Sequence, residues 1–147
     1  MRPLLLLCAL LLAGCGGAGE ATAPAGPPAE PPPETVQGGP PPAWIRTPEG
    51  SFWLAHSTYC WTNVCADYMA PSCETAPEIP ARVGEPVKIN LGFDARSATL
   101  THFPGGTAQP LEGLEWIVES GGAFAVFAQG GEGDASYAGC LVVSATR

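Results

Sequence analysis

The first fifteen residues, MRPLLLLCALLLAGC, constrain this chain most, because they decide the compartment in which it folds. One basic residue, Arg2, precedes a wholly apolar run from Leu4 to Ala13. A charged tip, a short apolar segment and small residues before a cut form a secretory signal. As a helix the run would rise only about 15 Å, half of a hydrocarbon core, so it is too short to remain as a membrane span. We therefore expect an exported protein that folds under oxidising conditions.

The apolar run closes on Leu12-Ala13-Gly14-Cys15, which resembles the lipobox of bacterial lipoproteins. The resemblance implies cleavage between Gly14 and Cys15, a diacylglycerol on the Cys15 sulfur and acylation of the new amino terminus by a palmitate-type chain. An ordinary signal peptide, with Cys15 an incidental thiol near the cut, is the alternative. The lipobox predicts a protein attached to a membrane of the bacterial envelope through the lipid on Cys15, on its extracytoplasmic side. The membrane and the leaflet stay open.

The next stretch, residues 16–43, has a composition that can hardly fold by itself. Of its 28 residues nine are Pro, six Gly, six Ala and three Glu, and Val36 is the only large aliphatic. Such a segment offers too little apolar surface to offset the entropy of ordering. We predict a spacer, with a ligand for a proline-binding module as the alternative. The predicted organisation is a signal peptide at 1–14, a lipidated Cys15 with a disordered tether at 15–43, and one domain at 44–147.

Charge in the predicted domain is sparse and acidic. Five basic residues stand against eleven acidic ones from Trp44 onward, a net charge of −6, within a chain of net charge −8. Nucleic-acid binding rests on a basic footprint, so nucleic acid is excluded as a partner. An anionic membrane surface would also repel the domain, which leaves the lipid to provide the attachment.

Four cysteines remain once Cys8 leaves with the signal and Cys15 carries lipid: Cys60, Cys65, Cys73 and Cys140. An even number in an exported domain indicates two disulfides, with three possible connectivities. Thr62-Asn63 stands between two strand-like runs, as in a two-residue hairpin loop. Such a loop pairs Trp61 with Val64 and Cys60 with Cys65, whose α-carbons approach to about 4.5 Å. This favours Cys60–Cys65, which leaves Cys73–Cys140.

Short β-prone runs separated by Gly and Pro fill the domain. They are typical of an antiparallel β-sandwich, immunoglobulin-like in class, with about seven strands and two disulfides. Tyr137 lies three residues before Cys140 rather than two, so the tyrosine corner of antibody-type domains is absent. The runs are Phe52–Trp61, Val64–Met69, Val87–Leu91, Ser97–Phe103, Leu111–Glu119, Ala123–Gln129 and Ser136–Ala145.

The motifs YCW, CAD, VGEPV and GDASY resemble those of small exported bacterial domains whose function is uncharacterised. The resemblance covers most of residues 50–147. It implies an extracytoplasmic β-sandwich and carries no activity with it.

No catalytic or metal site can be assembled from the sequence. His56 and His102 are the only histidines, and Leu141-Val142-Val143 after Cys140 lacks the His that a cupredoxin requires. A Cys-X-X-Cys pair and a Gly-x-Ser-x-Gly elbow are both missing. We therefore expect no catalytic residue, no metal and no cofactor. An envelope enzyme or metal carrier, with a site that spacing does not reveal, is the alternative.

Binding is the remaining function. Trp53, Tyr59 and Trp61 would share one face of the run Phe52–Trp61, and an aromatic stripe can hold a glycan or an envelope protein. The alternative is a second buried face of the same strand. The sequence thus predicts a lipid-anchored envelope protein that presents a β-sandwich as a binding or structural module.

Overall fold

The computed structural model describes residues 26–144, so the signal segment, Cys15 and the last three residues lie outside the described part. The described chain forms eleven strands and a single turn of 3₁₀ helix at Glu112–Leu114. The strands are β1 (Trp44–Thr47), β2 (Gly50–Trp53), β3 (Ala55–Trp61), β4 (Val64–Ala66), β5 (Glu78–Arg82), β6 (Pro86–Asn90), β7 (Ser97–His102), β8 (Gln109–Pro110), β9 (Glu115–Ile117), β10 (Gly122–Gln129) and β11 (Gly133–Ser144).

Two sheets build the sandwich. One has four strands in the order β2-β1-β6-β9; the other has seven, in the order β4-β3-β11-β10-β7-β8, with β5 pairing the second half of β11. All pairs are antiparallel except β5 with β11. The predicted all-β sandwich with two disulfides is confirmed, with more and shorter strands than expected. The predicted run Phe52–Trp61, for example, breaks at Leu54 into β2 and β3, which belong to different sheets.

The β3–β4 hairpin has the predicted register. Cys60 pairs with Cys65 and Trp61 with Val64, and the disulfide Cys60–Cys65 joins α-carbons 4.1 Å apart. The positive φ of the loop falls on Thr62, at 49°, although Asn63 beside it is the residue type that tolerates this conformation better. Thr62 is held from two sides, because its N–H donates to the Glu132 carbonyl and its hydroxyl to the Gly38 carbonyl. Tertiary contacts have thus overridden the local turn preference.

The second predicted disulfide, Cys73–Cys140, is also confirmed, with α-carbons 5.1 Å apart. It ties the irregular crossover at 67–77 to the middle of β11. The Cys140 N–H donates to the Pro77 carbonyl, and parallel pairing with β5 begins directly afterwards at Glu78. The disulfide therefore lies where β11 changes its neighbour from β3 to β5.

One core lies between the two sheets. The four-stranded sheet contributes Ile45, Val87 and Ile89, each at most 1% exposed. The seven-stranded sheet contributes larger side chains to the same cluster, among them Tyr59, Trp61, Leu100, Phe124, Val126 and Tyr137. Trp116 on β9 packs edge-on against Phe124 on β10, with ring centroids 5.4 Å apart, which joins the two layers.

Residues 26–43, here called the strap, pack on the sandwich, and this corrects the predicted tether with its boundary at 44. Pro40 and Ala43 are buried, and five side chains of the sandwich, four on strands and one in the β3–β4 turn, lie within hydrogen-bonding distance of strap carbonyls. The segment has little apolar surface of its own, and the surface that orders these residues belongs to the domain. The strap runs along the side where β2 and β4 are the edge strands.

Candidate functional site

The predicted aromatic binding surface of Trp53, Tyr59 and Trp61 does not form. Tyr59 and Trp61 are only 3% and 4% exposed, because alternate residues of β3 point into the core. Trp61 packs against Phe93 with ring centroids 4.7 Å apart. The break at Leu54 moves Trp53 to the other sheet, so the three rings share no face. The buried-face alternative is correct for Tyr59 and Trp61.

Trp53 lies instead on the outer face of the four-stranded sheet, directly opposite Trp44 of β1. Residues opposite each other in an antiparallel pair have Cβ atoms about 5 Å apart, so the two indoles are neighbours. The Trp53 indole N–H donates to the Glu30 carbonyl at 2.7 Å, and the Ser51 hydroxyl donates to the Gly26 carbonyl, also at 2.7 Å. The outer end of the strap, residues 26–35, therefore covers this part of the sheet.

The inner end of the strap, residues 36–43, contacts the edge of the hydrophobic core. The Tyr137 hydroxyl donates to the Pro41 carbonyl at 2.7 Å, and His56 Nε2 lies 3.4 Å from the same oxygen. Burial raises the pKa of Tyr137 far above its ordinary value, because the phenolate would lose its hydration. The His56 ring also packs against Tyr137, 5.4 Å between centroids. These contacts give His56 a structural role beside the buried Tyr137.

A groove of about 690 Å³ opens where the chain crosses from β8 to β9, beside the loop between β6 and β7. Its apolar lining includes Phe93, Ala98, Leu111 and Leu114, and Leu111 is itself buried. Phe93 is fixed from behind by Trp61. The charged side chains that line the groove are Lys88, Asp94, Arg96 and Glu112.

No ion pair within 4.0 Å joins any two of these four charges. Within residues 26–144 Arg82 alone forms ion pairs, with Glu49 and with Glu85 at 3.9 Å. Lys88 and Arg96 thus have no carboxylate of the described chain within 4.0 Å. All four charged residues of the groove are exposed, so water and salt screen each of them. The groove combines an apolar wall with two free cations and two free carboxylates.

A second cavity, of about 420 Å³, lies between His56 and the crossover residues Tyr68 and Met69. Its lining contains no Asp, Glu, Lys or Arg side chain. Burial raises the pKa of the Tyr68 hydroxyl, and Tyr59 and Glu34 add to the shift. Met69 is 87% exposed at the rim. This cavity therefore has polar side chains but none of the carboxylates, ammonium or guanidinium groups that the groove has.

The described residues hold no group of three or more His, Cys, Asp or Glu side chains arranged to bind a metal ion. In residues 26–144 there is also no helix of the length and hydropathy needed to cross a bilayer. The predicted lipidation site, Cys15, falls outside this range.

No family model matches the chain, and neither a curated protein nor a solved structure shows significant similarity to it. The lipobox and the resemblance to exported bacterial domains therefore stay predictions. Evidence about function comes from the residues of this molecule.

Sequence reasoning missed both the groove and the strap contacts. The groove forms from residues of three separate stretches, 88, 93–98 and 110–114, which no motif connects. One signal was available in the sequence. The domain has only five basic residues, so each of them was worth considering as a ligand-binding group.

Proposed function

We propose that this protein is a lipid-anchored lipoprotein of the bacterial envelope and that its sandwich is a ligand-binding module. The lipobox at Cys15 supports the anchoring, and the two disulfides are consistent with an extracytoplasmic location. The observation that carries the binding function is the groove, in which free charges of both signs stand beside an apolar wall.

The charge pattern indicates the class of ligand. Two cations and two carboxylates that do not pair with each other suit a small ligand that itself carries both charges. Phe93, Leu111 and Leu114 offer contact to short apolar side chains. A short peptide with free amino and carboxylate groups has this chemistry, and the peptides of a bacterial cell wall are ligands of this kind. The proposed ligand is such a peptide.

The experiment is an NMR titration of the folded mature protein with the peptide Ala-Glu-Lys-Ala, with its termini free. We expect shifts at Phe93, Arg96 and Leu114. Replacing both cations, Lys88→Gln with Arg96→Gln, should raise the Kd about tenfold, or about 1.4 kcal/mol, because each exposed charge pair contributes up to about 1 kcal/mol.

Arg46→Gln is the matched control. Arg46 lies directly across the β1–β6 pair from Lys88, carries the same charge and does not line the groove. An acetylated and amidated peptide tests the ligand's own charges and should bind more weakly. Shifts that avoid the groove, or a loss in Arg46→Gln equal to that of the double variant, would refute this assignment.

A further inference from the structure

The outer face of β2 has the features of a surface that binds proline-rich peptides. Ser51 and Trp53 lie two residues apart on the same strand face, and each donates a hydrogen bond of 2.7 Å to a strap carbonyl. Trp44 stands beside Trp53 and extends the aromatic surface. Extended proline-rich segments are usually bound on aromatic rings. An indole N–H and neighbouring hydroxyls donate hydrogen bonds to the main-chain carbonyls of the segment.

The bound segment supplies the complementary chemistry. Residues 26–35 include Pro27, Pro28 and Pro31–Pro33, which have no N–H and leave the carbonyls of the segment without internal partners. Over residues 26–35 the acceptors are the Gly26 and Glu30 carbonyls, and the donors, Ser51 and Trp53, both belong to β2. Binding of this kind requires no particular side chain from the segment. It requires the extended conformation that proline favours.

The two ends of the strap are held differently. At the inner end Pro40 and Ala43 are buried and the Pro41 carbonyl accepts the Tyr137 hydroxyl. Over residues 26–35 only Gly26, Pro28 and Pro32 are even partly buried, and the hydrogen bonds are those from Ser51 to the Gly26 carbonyl and from Trp53 to the Glu30 carbonyl. The outer end can therefore leave the sheet while the inner end stays in place.

We propose that Ser51, Trp53 and Trp44 form a polyproline-binding surface that residues 26–31 fill in cis and that the same residues of a second copy fill in trans. The second copy is the occupant indicated by the structure, because its segment is identical to the one already bound. Exchange of identical segments gives a symmetric pair at little cost in contacts. Crowding of copies on a membrane would favour the exchange, and such crowding depends on the proposed lipid anchoring.

The surface is tested in a full chain whose residues 26–35 are replaced by a Gly/Ser sequence of equal length, which leaves the inner strap intact. The probe is a synthetic peptide of residues 26–35, followed in every chain through the backbone amide signals of β1 and β2 and, where the side chain is present, through the NMR signal of the Trp53 indole N–H. We expect saturable binding and a downfield shift of that signal. Trp53→Phe, which keeps an aromatic ring and removes the donor, should weaken binding at least tenfold.

Trp116→Phe is the matched control, because the Trp116 indole N–H is buried and makes no hydrogen bond within the described chain. It should leave the affinity for the peptide unchanged. A peptide with alanine in place of every proline should bind more weakly. Absence of binding, or equal binding by Trp53→Phe, would overturn the proposed surface.

Exchange between copies is tested on vesicles of neutral phosphatidylcholine that carry a maleimide lipid coupled to Cys15 of the mature chain. Energy transfer between differently labelled copies should fall in Trp53→Phe and stay unchanged in Trp116→Phe. Equal transfer in all three chains would refute the trans complex. The coupling supplies the anchor whether or not cells lipidate Cys15, so this result is independent of the proposed function.

Discussion

At the scale of single residues, the contact between Tyr137 and Pro41 joins the proline-rich strap to the core. Tyr137 is fully buried, and its hydroxyl has the Pro41 carbonyl as its hydrogen-bond acceptor. The two residues stand 96 positions apart. A buried hydroxyl without a partner would destabilise the fold, so the position of the strap matters to the stability of the strands.

Tyr137→Phe should lower the free energy of unfolding by about 1 kcal/mol, because it removes this hydrogen bond and keeps the packed ring. Tyr59→Phe is the control, since Tyr59 is equally buried and its hydroxyl makes no hydrogen bond among the described residues. Urea denaturation at pH 7 measures both. Equal losses would show that the Pro41 contact contributes nothing specific.

The same tyrosine predicts a dependence of stability on alkaline pH. The pKa of Tyr137 is raised in the folded state from the ordinary value of 10.0. Between pH 10.0 and the higher pKa of the folded state, Tyr137 is protonated in the folded protein and deprotonated in the unfolded chain. The contribution of the buried hydroxyl to stability is therefore complete below about pH 10 and is lost as the pH rises further. Stability measured from pH 9 to 11 should fall less steeply in Tyr137→Phe than in the unsubstituted protein. Parallel curves would contradict the burial of a neutral hydroxyl.

At the scale of elements, the two disulfides contribute differently. Cys60–Cys65 spans a sequence separation of 5 and Cys73–Cys140 one of 67. From loop-closure entropy we expect the two disulfides to raise the free energy of unfolding by roughly 2 and roughly 4 kcal/mol, respectively. Replacing both cysteines of the long-range pair by serine should therefore lower the melting temperature more than the same change in the hairpin. The reverse order in thermal denaturation would mean that the crossover at 67–77 does not depend on its covalent tie.

The strap predicts a second effect at this scale. A chain that begins at Trp44 should be less stable than one that begins at Gly26 by about 2–4 kcal/mol, because Tyr137, Trp53, Ser51 and Thr62 lose their acceptors. Calorimetry of the two chains makes the comparison. Equal melting temperatures would restore the simple tether and move the domain boundary back to 44.

Local geometry explains what could be predicted from the sequence. Strand alternation and a two-residue loop placed Cys60 opposite Cys65, and elimination then paired Cys73 with Cys140. The strap could not be predicted in this way, because its acceptors meet donors at 51, 53, 62 and 137, and no local period connects these positions. The groove likewise depends on the crossing from β8 to β9, which strand patterns do not specify.

At the scale of the whole molecule, the inner end of the strap and the groove are neighbours, because Gly92, the residue before Phe93, packs against Pro41. With the strap bound, the tether between Cys15 and the domain shortens from residues 16–43 to residues 16–25. At about 3.1 Å per residue in an extended polyproline conformation, its reach falls from about 87 Å to about 31 Å. If Cys15 carries the lipid, the part of the domain that binds Gly26 is held close to the membrane.

Lipid attachment at Cys15 decides whether the module works at a membrane at all. The direct measurement is the intact mass of the protein purified from detergent extracts of cells, together with membrane fractionation of Cys15→Ser. We expect loss of residues 1–14 and a diacylglycerol with an additional acyl chain on Cys15, since two or more chains are needed for stable anchoring. Cys15→Ser should appear in the soluble fraction, and Cys8→Ser, which alters only the cleaved segment, should stay with the membrane. A mature chain without lipid, or membrane association that survives Cys15→Ser, would contradict the proposed lipoprotein.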